Sequence, residues 1–202
     1  MVYRTDSVKE MIESLKELEE EIISCDKCPR LRKVTPYPMP HIIYNKENAN
    51  KLFCVGRNPG LEHSYENIPR EKFMQIYHSR WWECKIGRYL RNILGDDFVL
   101  NYIFFTNICK CSSPNNSALA KKEMENCFPF LERQVEITKP PVIVVFGRTF
   151  SDFIKERLKL DIPIFYLSHP SYFMRNKNDE KERDQAEKLV RIKKFFLKKI
   201  KV

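Results

Sequence analysis

Cysteine is the residue type in this chain most open to chemistry, and the spacing of its seven copies sorts them. Cys25-x-x-Cys28 puts two thiolates within reach of one metal centre, and Cys111 and Cys127, fifteen residues apart in the gap between them, bring a loop and a predicted helix to the same place. Four such ligands fit either zinc or a [4Fe–4S] cluster; the alternative is a set of buried thiols that ligate nothing. The others are less promising. Cys54 sits inside an apolar run, Cys84 precedes a helix, and Cys109, two residues from Cys111, should point to the opposite face of an extended chain.

A second group of residues stands at the ends of apolar runs. Leu52-Phe53-Cys54-Val55 stops in the turn Gly56-Arg57-Asn58-Pro59-Gly60, which reads as a buried strand whose glycines let the backbone bend tightly or approach a ligand. The run over 101–107 ends in Asn107, and 163–167 runs into Ser168-His169-Pro170-Ser171. In an open α/β sheet, ligands bind beyond the carboxyl ends of parallel strands, so Asn58, Asn107 and His169 are candidate site residues together, although a lone buried Asn or His is usually structural.

The elements that must position them follow from periodicity. Met11, Leu15, Leu18 and Ile22 recur at helical steps over 7–24, and further helices are predicted over 85–94, 118–135, 149–159 and 179–199. Val142-Ile143-Val144-Val145-Phe146 is the plainest buried strand. Between Gly60 and Trp81 no period persists, and a long loop with one short helix is predicted. Strands alternating with helices imply an α/β fold, a three-layer α/β/α sandwich around a central, mostly parallel four-stranded sheet, in one domain spanning 1–202.

Composition narrows the class. A chain of 202 residues can bury a full core without disulfides. No apolar stretch reaches membrane-spanning length and the N-terminus lacks the apolar core of a signal peptide, so a cytoplasmic protein is expected. The formal net charge is +9, and from Arg175 onward eleven Lys/Arg stand against five Asp/Glu. An acidic partner such as nucleic acid fits that charge; a solvated helix face is the plainer explanation.

Read in order, Cys25-x-x-Cys28-Pro29, Gly56-Arg57-Asn58-Pro59-Gly60, Thr106-Asn107-Ile108-Cys109-Lys110-Cys111, Cys127-Phe128-Pro129-Phe130-Leu131 and Ser168-His169-Pro170-Ser171 resemble the uracil-DNA glycosylase superfamily, most of all its iron–sulfur branch, family four. The resemblance runs from about Leu18 to Asn176, and its specificity lies in the joint order of five motifs. It implies that Cys25, Cys28, Cys111 and Cys127 hold a [4Fe–4S] cluster, that Asn107 reads the edge of a flipped base, and that His169 donates a hydrogen bond to the base carbonyl as charge builds there. It further implies that Trp82 stacks on the base, and that the loop Tyr172-Phe173-Met174-Arg175-Asn176 drives an apolar wedge into the duplex, with Phe173 and Met174 as the wedge beside Arg175. Ser171 and the backbone amides of the 169–172 turn are suited to holding a phosphate.

Two departures matter. Where family four has an acidic residue after the first Gly, this chain has Arg57, and its Asn58 resembles instead the Gly-x-Asn-Pro-Gly motif of the mismatch-specific and single-strand-selective branches, where Asn positions the attacking water. The segment from Gly60 to Trp82 is also longer than that of family four. The expectation is a monomeric, monofunctional glycosylase acting on DNA that carries a damaged base, uracil before hypoxanthine, with a sliding clamp as a further candidate partner. The alternatives are a catalytically weak or inactive iron–sulfur protein of the same fold that binds nucleic acid, and a zinc-stabilised domain that binds RNA or protein.

Overall fold

Five strands build the sheet of the computed structural model, which describes residues 5–60, 68–147, 150–158, 161–176 and 179–201, and the backbone alone for 5–7 and 174–176. They are β1 (Ile42–Ile43), β2 (Leu52–Gly56), β3 (Ile103–Asn107), β4 (Val142–Phe146) and β5 (Ile164–Leu167), in the spatial order β1-β3-β2-β4-β5. The four longer strands run parallel, as their apolar runs imply. The two-residue β1 adds an antiparallel fifth strand, so the expected count of four is one short. Pro38 and Pro40 precede so brief a ladder that periodicity has nothing to register.

Side chains alternate across the sheet. Leu52, Cys54, Ile103, Phe105, Val142 and Val144 face one layer, where they pack with α4 (Lys85–Leu94), α5 (Asp96–Tyr102) and α9 (Asp179–Ile200). Phe53, Val55, Phe104, Ile143 and Val145 face the other, against α1 (Thr5–Ile23), α6 (Lys121–Thr138) and α7 (Ser151–Arg157). Phe53 and Phe104 stack across adjacent strands at 4.7 Å and are fully buried, each worth roughly 1.5–3 kcal/mol in transfer alone. The three-layer α/β/α reading therefore holds.

Two helices escaped the periodicity reading. The stretch after Gly60 carries α3 (Arg70–Glu83), fourteen residues long where one short helix was expected. Its aromatic residues lie on several faces, so only Phe73 and Trp81 are buried and no single stripe stands out. His63 and Tyr65 of the expected loop lie outside the described residues. The other is α5, seven residues opened by Asp96 and Asp97 just after Gly95, whose φ of 87° suits glycine alone. The turn Ser168-His169 leads into α8 (Pro170–Asn176), a helix where a loop was expected.

The N-terminal helix is clamped to the sheet's helical layer by charge. Arg133 of α6 forms a forked pair with Glu21, and Arg70 of α3 does the same with Glu20. These pairs are exposed and individually weak, yet they fix the end of α1 from which Cys25 emerges. No described helix is long and apolar enough to cross a membrane.

Candidate active site

Parallel pairing brings the strand ends to one edge. Gly56 and Asn107 are register partners, and the ladder continues past them: Ile108 N–H donates to Gly56 O at 2.9 Å and Cys109 N–H to Arg57 O at 3.0 Å. Asn107 is buried, and its Oδ1 lies over Gly56, only 2.5 Å from where a Cβ on that residue would sit, with the ring of Phe105 at 3.1 Å. Glycine at 56 is therefore a steric requirement. No other residue leaves room for the amide.

Behind Asn107 a buried cation secures the chain. Lys110 Nζ donates to Asn107 O at 2.7 Å, to Thr106 Oγ1 at 2.7 Å and to Gln134 Oε1 at 2.8 Å, while Thr106 Oγ1 and Gln134 Nε2 both donate to Pro40 O. Burial pushes the ammonium down to about 7, and the Cys127 and Cys109 sulfurs pull the other way. The amine thus ties the end of β3 to α6.

Asn58 sits two residues beyond β2, half-buried. Its Oδ1 accepts from Arg57 Nε at 2.6 Å, and its Nδ2 faces Pro59 O at 3.3 Å and Ser113 Oγ at 3.4 Å. Ser112 Oγ in turn donates to Pro59 O at 2.8 Å, pinning the Pro-Gly turn to the 112–117 loop.

His169 lies two residues beyond β5. The strand order puts β4 between β5 and β2, and at the usual 4.7–4.9 Å between strands the imidazole turn stands about 10 Å from the Asn58 turn. Between them Gly147, at φ 129°, ends β4 and donates to Leu167 O at 2.8 Å. His169 Nδ1 meets Ser171 Oγ at 2.7 Å and accepts from Ser171 N–H at 3.2 Å. A backbone amide only donates, so Nδ1 carries the lone pair and a neutral ring holds its proton on Nε2. Gln185 Oε1 of α9 accepts from Ser168 N–H at 3.0 Å, fixing the turn from behind.

Other expected site residues fall elsewhere. Trp82 is partly buried, its ring under the Arg91 guanidinium at 4.5 Å and edge-on to Tyr44 at 5.2 Å. Tyr44 follows β1, whose antiparallel register carries it past Phe104 toward the start of β3, the edge opposite Asn107. Trp81 is core, its ring 5.2 Å from Phe105 and 6.0 Å from Tyr44, with its Nε1 buried and without a hydrogen-bond partner among the described residues. Helical phase separates the two adjacent tryptophans, turning Trp81 into the core and leaving Trp82 partly buried. Phe173 is buried at 2 % exposure, so it is core and not an exposed wedge, because the segment is helical and turns that side chain inward. Tyr172 is the outward one, at 44 %. The side chains of Met174 and Arg175 lie outside the described residues.

The sulfur atoms gather on the far side of the β3 extension. Cys28 and Cys127 are in thiol contact, and contact with Cys127 is the main reason the Cys28 thiol is pushed up. Cys111 is raised by burial, with Cys127, Cys25 and Cys28 all close enough to add to it. Cys25 is the half-buried member. Cys109 departs from expectation: it is fully buried and touches Cys127, whose thiol it helps push up to about 12. Residues 108–111 form a bend, so the alternation that should have separated Cys109 from Cys111 does not apply. Among the described residues, no three of His, Cys, Asp or Glu converge tightly enough to cage a single ion. The donor set is nonetheless sulfur alone, which suits zinc or iron–sulfur chemistry.

Comparison with known proteins agrees with this geometry. Residues 43–192 match the family model of the uracil DNA glycosylase superfamily. Among similar proteins are the type-4 uracil-DNA glycosylases of Thermotoga maritima, 26 % identical over 90 % of this chain and 94 % of that protein, and of Archaeoglobus fulgidus, 33 % identical over 71 % of this chain and 64 % of that protein. A third, from Sulfurisphaera tokodaii, is 29 % identical over 73 % of this chain, and the match spans 60 % of its length. With the motifs at one sheet edge and the family match covering most of the sequence, the chain belongs to the uracil DNA glycosylase superfamily.

Proposed function

We propose that this protein is a monofunctional DNA glycosylase that extrudes a deaminated base from DNA, uracil before hypoxanthine, and hydrolyses its N-glycosidic bond to leave an abasic site. The observation that carries the reading is the presence of Asn58, Asn107 and the Nε2-protonated His169 at or just beyond the carboxyl ends of three parallel strands of one sheet. The names of the type-4 relatives support the substrate, and a net charge of +9 suits a polyanion.

The chemistry divides among these groups. Unstacking a base costs on the order of a few kcal/mol, least at a mispair. Tyr172, exposed beside His169, replaces Phe173 as the aromatic that fills the vacated space. Asn107 offers a donor and an acceptor to a pyrimidine edge. As the bond breaks, negative charge grows on the departing base, and His169 donates from Nε2 to its carbonyl. Asn58 orients water toward the sugar carbon, a gain of position and not of proton transfer.

Cys25, Cys28, Cys111 and Cys127 would hold a [4Fe–4S] cluster. Its part is structural: it ties the segment after α1 to the β3 extension and to α6. A sliding clamp remains a candidate recruiter, and the single 1–202 domain acts as a monomer in this reading.

The test is a panel of oligonucleotides carrying uracil, hypoxanthine or xanthine, incubated with the purified protein and then cleaved with alkali. Strand breaks at uracil, at a rate above the other two, are expected. Intact strands throughout would refute the reading and favour the inactive DNA-binding alternative, for which Arg57 at the usual acidic position is the specific support.

A further inference from the structure

We infer that Arg57 is a positioning residue that sets the orientation of the Asn58 carboxamide, an inference that rests on the glycosylase reading above. The family's acidic position cannot be filled by a guanidinium acting as a base, so its occupant here must do something else or nothing. The geometry points to the former.

Four contacts decide it. Arg57 Nε donates to Asn58 Oδ1 at 2.6 Å, a short, charge-assisted bond between sequence neighbours. The bonds on the other end of the amide are long, at 3.3 Å to Pro59 O and 3.4 Å to Ser113 Oγ, so they orient it weakly. Ser113 has one hydroxyl proton, and that proton goes to Ser117 O at 2.8 Å; toward Asn58 the hydroxyl can only accept. Donor and acceptor ends of Asn58 are thereby assigned, and a flipped amide would set its N–H against a cation.

The guanidinium is itself anchored. Its Nη2 reaches Asn116 O at 3.4 Å, and Asn116, with φ 53°, follows Asn115, with φ 51°. Both are left-handed positions that asparagine tolerates better than most residues. The 112–117 loop thus presents a carbonyl to Arg57 and a hydroxyl to Asn58, closing the clamp from two sides. One lone pair of Oδ1 remains for water, held in a fixed direction.

The test is single-turnover excision from a uracil duplex alongside binding to a duplex carrying 2′-fluoro-2′-deoxyuridine, which resists cleavage. Arg57→Ala should slow excision at least about tenfold while binding and its salt dependence stay within about threefold. In an Asn58→Ala background the same change should cost less than about twofold, because the group it orients is gone. Arg57→Lys should recover little of the rate, since an ammonium lacks the Nε–H aimed along the chain. Thermal melting of each variant monitors folding, and a loss that tracks melting would overturn the inference. So would an effect additive with Asn58→Ala, or one carried by binding and by the salt slope, which would make Arg57 a phosphate contact. A wild-type protein that excises no base would overturn the glycosylase reading and this inference with it; an active wild type matched by a fully active Arg57→Ala would overturn this inference alone.

Discussion

Gly56→Ala tests the strand-end geometry most directly. The backbone at 56 is not in the left-handed region, so alanine meets no torsional objection. Its methyl carbon would lie 2.5 Å from Asn107 Oδ1 and 3.1 Å from Phe105 Cζ. Ordinary contact begins near about 3.5 Å, so the amide must retreat by about 1 Å. Asn107 is buried and its carbonyl is held by Lys110, which confines the retreat to the side chain. A misplacement of about 1 Å at a reacting centre costs on the order of 10²-fold in rate, whereas overpacking of this size costs about 1–3 kcal/mol of stability. Single-turnover excision of uracil from duplex DNA should therefore fall on the order of a hundredfold in a protein that still melts cooperatively. Excision at the wild-type rate by a folded Gly56→Ala would refute the assignment of Asn107 to base recognition.

Other outcomes follow from the same structure. His169→Ala should lower the excision rate on the order of 10²–10³-fold with lesion binding little changed, measured by single-turnover kinetics, because one preorganised donor is worth about 2.7–4 kcal/mol. Ser171→Ala removes the hydroxyl at 2.7 Å from Nδ1 and leaves the backbone amide, so a smaller loss, about fivefold, is expected from a neutral hydrogen bond of about 1 kcal/mol. Cys127→Ser should abolish the visible iron–sulfur absorbance of the purified protein and lower its melting temperature; retained colour would remove Cys127 from the ligand set. His41, stacked on Phe104 at 4.9 Å, is held by burial down to about 3. Between the ordinary histidine value near 6.5 and about 3, the unfolded chain binds a proton that the folded chain refuses, so stability rises with pH across that window and is lost on acidification. His41→Phe should flatten that slope, a difference on the order of a few kcal/mol by pH 4 in denaturant melts.

Much of the site could be read before the fold was known, because strand ends announce themselves. Leu52–Val55 and Val142–Phe146 are apolar on both faces, which only a covered parallel strand requires, and each stops at a glycine-bearing turn. Asn58, Asn107 and His169 follow at fixed offsets. What could not be read depends on phase and on contact. Trp81 and Trp82 differ by one helical step of about 100°, too fine for a motif to resolve. Phe173 is expected in an exposed wedge loop on the family resemblance alone, and the helix begun at Pro170 turns it inward. Cys109 was discounted by a rule for extended chain at a point where the chain bends. The bond from Arg57 to Asn58 is a side-chain conformation, about which sequence order is silent.

The five residues from Asn107 to Cys111 form a short, buried span with an amide at one end and a thiol at the other. Lys110, bonded to the carbonyl of Asn107, stiffens it midway. A disturbance of the sulfur end, by an oxidant or by iron starvation, therefore has only a few rigid bonds to cross before it tilts the amide. On the function proposed above, excision would weaken as iron grows scarce even where the imidazole turn, three strands away across the sheet, stays undamaged.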